Sequence, residues 1–176
     1  MEELNLSPYL TEDEIQKRIS QMAKQINTQL AGKSVVAICV LKGSFVFYSD
    51  LLRQLNLDLE CEFFGGSSYH GNMSSSGEVK VTLDLSRPIE GKDVLLVEDI
   101  VDTGLTMNYL IANLKSRKPQ SITTVTLLEK PEALKVPCPI DYVGFKIPND
   151  FVVGYGLDYQ GFYRNLPYIA QVQTFN

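Results

Sequence analysis

The sequence has no excess of positive charge, no apolar run of the ~18 residues that a membrane span needs, no paired-cysteine motif and a single histidine. Each absence excludes something. Sixteen Lys and Arg against 21 Asp and Glu leave a net charge of -5, so a main role in neutralising a phosphate backbone is disfavoured and neither nucleic acid nor a membrane is expected as a partner. Cys39, Cys61 and Cys138 are odd in number and far apart, with only His70 as a nitrogen ligand. That argues against a disulfide framework and against a zinc site, and the expectation is three reduced thiols. The first residues, MEELNLSPYLTEDE, are acidic where a secretory signal would be basic and then apolar, so a cytoplasmic protein is expected. The sequon at Asn72, Met73 and Ser74 then has no use.

What is present describes one domain. A length of 176 residues, 44% hydrophobic and 21% charged, fits one globule with one sizeable core. Thr11 with Glu14 forms a capping box, and Ile15, Ile19, Met22, Ile26 and Leu30 follow at helical spacing up to Gly32. Residues 35–41, VVAICVL, are a continuous apolar run rich in β-branched side chains, as in a strand buried on both faces of a parallel sheet. A helix over 44–55, strands over 59–64, 79–83, 94–97 and 122–128, and a helix over 103–114 complete the reading. Repeated strand–helix–strand units predict an α/β fold, a mostly parallel twisted sheet flanked by helices. Residues beyond Pro131 are expected to form short strands and loops over one end of it. Residues 65–77, GGSSYHGNMSSSG, have little apolar side chain to anchor them and are expected to be mobile.

Gly32, Lys33 and Ser34 contain the GKS of a phosphate-binding P-loop, but Asn27 stands where that loop needs a glycine, and a helix precedes it in place of a strand. The informative stretch is 94–106, VLLVEDIVDTGLT, in which a buried strand ends in Glu98 and Asp99 and an Asp102-Thr103-Gly104 turn opens a helix. Ligands of open α/β sheets bind beyond the carboxyl ends of the strands. A helix N-terminus there offers free N–H groups to a phosphate, Gly104 lets the anion approach, and Thr103 and Thr106 add hydroxyls. Three carboxylates beside a phosphate need another purpose: holding ribose hydroxyls or Mg²⁺. The plainer alternative is that Asp102 or Thr103 only caps the helix, worth about 1 kcal/mol.

VEDIVDTGLT resembles the phosphoribosyl pyrophosphate signature of purine phosphoribosyltransferases of the hypoxanthine (guanine) type. So, in order, do VLKGS (40–44), SSYHG (67–71), LLEKP (127–131) and DFVVGYGLDYQGFYRNL (150–166) resemble that family's other active-site segments. Leu105 departs from it, since that position is often polar or basic in relatives. The resemblance implies a type I phosphoribosyltransferase-like domain over 1–176, with a lid at 65–77 carrying Ser68 and Tyr69 and a base-binding hood formed mainly by 130–170. It implies that Lys42 and Gly43 bind pyrophosphate after a cis peptide, that Glu98 and Asp99 hold the ribose, and that Asp102 is the general base. Thr103, Gly104, Leu105 and Thr106 would hold the 5′-phosphate, and Arg164 would contact pyrophosphate. Lys130 would donate to the 6-oxo group of the purine, Phe151 would stack on it, and Val152 and Asp158 would meet its edge. Mg²⁺ would lie near Asp158, Glu98 and Asp99. Taken singly, Lys130, Asp158 and Arg164 would be ordinary surface charges and Phe151 a core ring.

The activity implied is purine salvage by a glycosyltransferase: phosphoribosyl transfer from phosphoribosyl pyrophosphate to N9 of hypoxanthine or guanine, giving IMP or GMP and pyrophosphate, in a homodimer or homotetramer. The alternatives are a non-catalytic regulator on the same fold that senses phosphoribosyl pyrophosphate or nucleotides, and a transferase for another base such as xanthine.

Overall fold

The computed structural model describes residues 4–68 and 79–173. Its main sheet takes strands β2 (Ser34–Leu41), β3 (Asp58–Ser68), β4 (Val79–Leu83), β5 (Asp93–Val101), β6 (Ser121–Glu129) and β7 (Tyr142–Lys146) in the order β4-β3-β2-β5-β6-β7. All neighbours are parallel except β3 and β4. Helices α1 (Glu12–Gln29) and α2 (Phe45–Leu52) cover one face, and α3 (Leu105–Ser116) the other.

The apolar run of β2 has its explanation in these two layers. Val35, Ala37 and Cys39 pack toward α1 and α2, while Val36, Ile38 and Val40 pack toward α3. Both faces are dry, so both parities must be apolar. Helix α1 closes its N-terminus with the predicted box: Thr11 Oγ1 accepts from the Glu14 amide at 3.3 Å and Glu14 accepts from the Thr11 amide at 2.8 Å. Those two bonds satisfy donors that helical geometry leaves open.

Three features differ from the sequence reading. Strand β5 does not stop at Glu98 and Asp99 but runs to Val101, because β6 continues to pair with it through Ile100 and Val101. Residues 142–146 extend the main sheet beside β6. The segment Leu6–Leu10 (β1), assigned to no element, pairs with β9 (Ile169–Val172), which also pairs with β8 (Val152–Val153), giving a small antiparallel sheet. Among the described residues no helix is long and apolar enough to cross a membrane.

The topology fixes where a ligand can sit. From β2 the chain moves outward to β3, and from β5 it moves the other way to β6, so the order reverses between β2 and β5. Their pairing ends at Cys39 with Val97, and beyond it the two strands part. A crevice at the carboxyl ends of diverging strands is the standard binding position in open α/β sheets.

Candidate active site

A cavity of about 560 Å³ occupies that crevice, within the size range of small-molecule sites. Four loops line it: Lys42 and Gly43 after β2; Glu98, Asp99, Asp102 and Thr106 from the end of β5 into α3; Lys130 after β6; and Phe151, Val152, Asp158 and Arg164 from the region around β8. A second cavity of about 240 Å³ shares the acidic wall and is completed by Thr103 and Gly104. All the predicted phosphoribosyl- and base-contacting residues line one or both cavities except Leu105, the half-buried first residue of α3, which lines neither. Tyr69 and most of 65–77 lie outside the described residues; of Ser68 only the backbone, in β3, is described.

The Leu41–Lys42 peptide is cis. Just after it, Gly43 is so close to Asp99 that a Cβ on the glycine would coincide with the Asp99 carboxylate. A Cβ on Gly156 would likewise strike the Gly43 carbonyl. The Gly43 backbone thus packs directly against the Asp99 carboxylate on one side and the Gly156 backbone on the other, and the glycines permit both approaches. Asp99 is held in place as its Oδ1 accepts from the Ile100 amide at 2.8 Å. Glu98 is 7% exposed, and burial, followed by the charge of Asp99, pushes its carboxyl well above the ordinary 4.5.

The start of α3 decides between the two readings of the turn. Gly104 is the N-cap residue, at φ 80°, and no side chain caps the helix. Asp102 precedes the cap and is exposed, and Thr103 Oγ1 is 3.4 Å from the Leu105 amide, at the weak limit for a hydrogen bond. The helix thus presents uncapped N–H groups and its positive dipole end to the second cavity, the arrangement that binds phosphate. A side chain at residue 104 would also meet Cys138 Cβ and the Val136 carbonyl, each at 3.0 Å.

Lys130 is 7% exposed, so it is not a solvated surface lysine. Its amide donates to the Val101 carbonyl at 2.9 Å, tying the loop after β6 to the end of β5. Phe151 is 51% exposed, with its ring meeting that of Tyr159 edge-on at 5.9 Å; it is an open apolar surface, not core. Arg164 and Asp158 hold each other, Nη2 to Oδ1 at 2.6 Å. Arg164 Nη1 donates to the Gly156 carbonyl at 2.6 Å, and Asp158 Oδ2 accepts from the Gly161 amide at 2.7 Å. Sequence reasoning missed Gly156 and Leu157 as parts of this wall. The Gly-Tyr-Gly spacing at 154–156 was the available signal, and all three residues have positive φ.

Carboxylates Glu98, Asp99 and Asp158 face one cavity, yet among the described residues no three metal-ligating side chains are close enough to enclose an ion. That donor set fits Mg²⁺ rather than a caged metal, because Mg²⁺ keeps waters and is commonly held by one or two carboxylates plus substrate phosphates.

Residues 7–160 match the phosphoribosyl transferase domain family. The bifunctional protein TilS/HprT of Listeria monocytogenes is 48% identical over 161 residues, which cover 92% of this chain but only 25% of that protein. The hypoxanthine-guanine phosphoribosyltransferase of Staphylococcus aureus is 46% identical over 164 residues, covering 93% of this chain and 92% of that one. The crystal structure of a Staphylococcus aureus hypoxanthine phosphoribosyltransferase superposes with a TM-score of 0.92 at 45% identity, covering 97% of this chain and 92% of that one. With the fold, the reversal point and the signature residues in agreement, the chain belongs to the phosphoribosyl transferase domain family.

Proposed function

We propose that this chain is a purine-salvage enzyme that transfers the phosphoribosyl group of phosphoribosyl pyrophosphate to N9 of hypoxanthine or guanine. The observation that carries the reading is the buried Lys130, which lines the same cavity as the acidic pair and as Thr106 of α3. A sugar phosphate and an oxo-substituted base need those features together.

In this reading the amides at 103–106 hold the 5′-phosphate, and Glu98 and Asp99 accept from the ribose hydroxyls. Lys130, a donor without acceptor capacity, faces the 6-oxo group. Phe151 covers one face of the base, and Val152 presents backbone groups to its edge. The purine nitrogen forms the new bond to the sugar carbon as the bond to pyrophosphate oxygen breaks, and the electron pair leaves with pyrophosphate. Asp102, exposed and free of capping duty, accepts the imidazole proton. Lys42 and Arg164 draw off charge from the leaving pyrophosphate. Mg²⁺, held through Asp158 or the Glu98–Asp99 pair together with substrate oxygens, would supply further neutralisation of that leaving group.

We also infer a homodimer or homotetramer. Phe45, Phe63 and Leu83 are exposed large apolar side chains on α2, β3 and β4, and sedimentation would read the state directly. The test of function is to incubate the protein with phosphoribosyl pyrophosphate, Mg²⁺ and each base in turn and follow nucleotide formation. IMP and GMP are expected; AMP from adenine, or no nucleotide from any base, would overturn the reading.

A further inference from the structure

Away from the cavity, three polar side chains, from α1, α2 and the loop after β8, meet in a part-buried cluster. The Tyr155 hydroxyl donates to Asp50 Oδ2 at 2.5 Å. Gln16 Nε2 donates to the same oxygen at 2.7 Å and lies 3.2 Å from the Tyr155 hydroxyl. Arg53 pairs with the other oxygen, Asp50 Oδ1. Tyr155 is 3% exposed, and burial, then the Asp50 hydrogen bond, pushes its phenol up. It therefore serves as a neutral donor throughout the working range of pH.

The positions of these residues matter more than the bonds. Asp50 lies on α2, the helix that begins directly after the Lys42–Gly43 loop. Tyr155 lies between Gly154 and Gly156, and all three have left-handed backbone, φ 99°, 50° and 100°. Such a conformation costs a non-glycine residue about 1 kcal/mol or more and persists only where surrounding contacts dictate it. The same short loop carries Val152 and Phe151 on one side and Asp158 on the other. Its Gly156 carbonyl takes the Arg164 guanidinium, and its Gly156 Cα rests on the Gly43 carbonyl.

We infer that Tyr155, through its hydrogen bond to Asp50, is a positioning residue that sets the base-binding loop in register with the pyrophosphate-binding loop. Its side chain lines neither of the two cavities described above. Each subsite keeps its own contacts without it, whereas the alignment of the reacting purine nitrogen with the sugar carbon depends on the relative placement of the two loops. A misplacement of about 1 Å can cost ~100-fold in rate. Loss of the hydroxyl alone, with the ring still packed, should cost less, about tenfold in kcat, with both KM values within about threefold of wild type.

The inference rests on the proposed phosphoribosyl transfer for its kinetic half, so the test has a second readout that needs no activity. The amides of Gly154, Tyr155 and Gly156 donate to the Leu157, Leu166 and Arg164 carbonyls, and their hydrogen exchange reports how firmly the loop is held. In Tyr155→Phe and Asp50→Leu these three amides should exchange about tenfold faster than in wild type while amides of β5 do not. Asp50→Asn retains an oxygen able to accept from Tyr155 and should restore both exchange and kcat. Unchanged exchange in Tyr155→Phe would overturn the inference whatever the activity. Faster exchange with wild-type kcat would overturn it too, leaving the proposed reaction untouched. An Asp50→Asn protein as impaired as Asp50→Leu would likewise refute a role for the hydrogen bond. Nucleotide formation by the wild-type protein is scored separately, so its failure strikes the function and not the strut.

Discussion

Asp102→Asn separates chemistry from stability more cleanly than any other single change in the site. The amide is isosteric but cannot accept the imidazole proton, so kcat should fall by about 100-fold, equivalent to about 2.7 kcal/mol of barrier. The structure fixes the other half of the expectation. A cap of α3 by Asp102 would have made its loss cost ~0.5–2 kcal/mol. But Gly104 is the N-cap, the one side chain that meets the Leu105 amide is Thr103 and not Asp102, and Asp102 is exposed. The stability change should then stay within about 0.5 kcal/mol, or roughly 2 °C in Tm for a chain this long. Steady-state kinetics with saturating hypoxanthine and phosphoribosyl pyrophosphate, beside thermal melts, measure both quantities. The KM for the sugar substrate should change by no more than about twofold, since a residue acting only in the transition state leaves ground-state binding alone. Near-normal turnover with a Tm lowered by several degrees would refute the assignment and restore the capping reading.

Four other outcomes are expected. Gly43→Ala places a methyl where the Asp99 carboxylate lies; Asp99 must move and give up its 2.8 Å bond from the Ile100 amide. The KM for phosphoribosyl pyrophosphate should rise about tenfold and stability fall by about 2 kcal/mol, and unchanged kinetics would show the contact to be idle. Lys130 opposite the 6-amino group of adenine would set donor against donor, so adenine should be rejected by about 10⁴-fold; xanthine keeps the 6-oxo group, so its poor use is expected from what meets the 2-position near Val152 and Asp158 and not from Lys130. Lys130→Met should depress turnover of hypoxanthine and guanine alike while calorimetric binding of phosphoribosyl pyrophosphate persists; loss of sugar binding would place Lys130 in the other subsite. Asp93 is held below its ordinary 3.8 by the Ser121 hydroxyl and then by Lys33, joining the starts of β5 and β6 to the residue before β2. A depressed carboxyl stabilises above its unfolded pKa and ceases to do so as pH falls through the folded one. Asp93→Asn should therefore lower stability by about 1 kcal/mol at pH 7, with the gap in Tm closing below pH ~3.8; an equal gap at pH 3 would refute it.

What could be read from the sequence divides along physical lines. The strands of the parallel sheet were legible because burial on both faces forces apolar residues at every position, as in β2. Strand β7 was not, because it closes the sheet edge and its residues are only half-buried or exposed. Strand β1 contains Pro8, has a register irregularity just beyond it, and pairs with β9 at the far end of the chain, so no local pattern announces it.

The site divides in the same way. The stretch proposed to hold the ribose and 5′-phosphate is contiguous over 98–106, where strand end, turn glycine and helix start each have a local chemical reason, and residues alone pointed to a sugar phosphate. The part proposed to hold the base is assembled from Lys130, Phe151, Val152 and Asp158, which line one cavity. None of these differs in isolation from an ordinary surface charge or core ring, so the family resemblance supplied what periodicity could not. The polar strut beneath them was harder still to see. Tyr155 reaches Asp50 across 105 positions and Gln16 across 139. Only the flanking glycines, needed for the left-handed path, marked the place. A contact whose partners are set by the packing of three separate parts of the chain leaves no signature in any one of them.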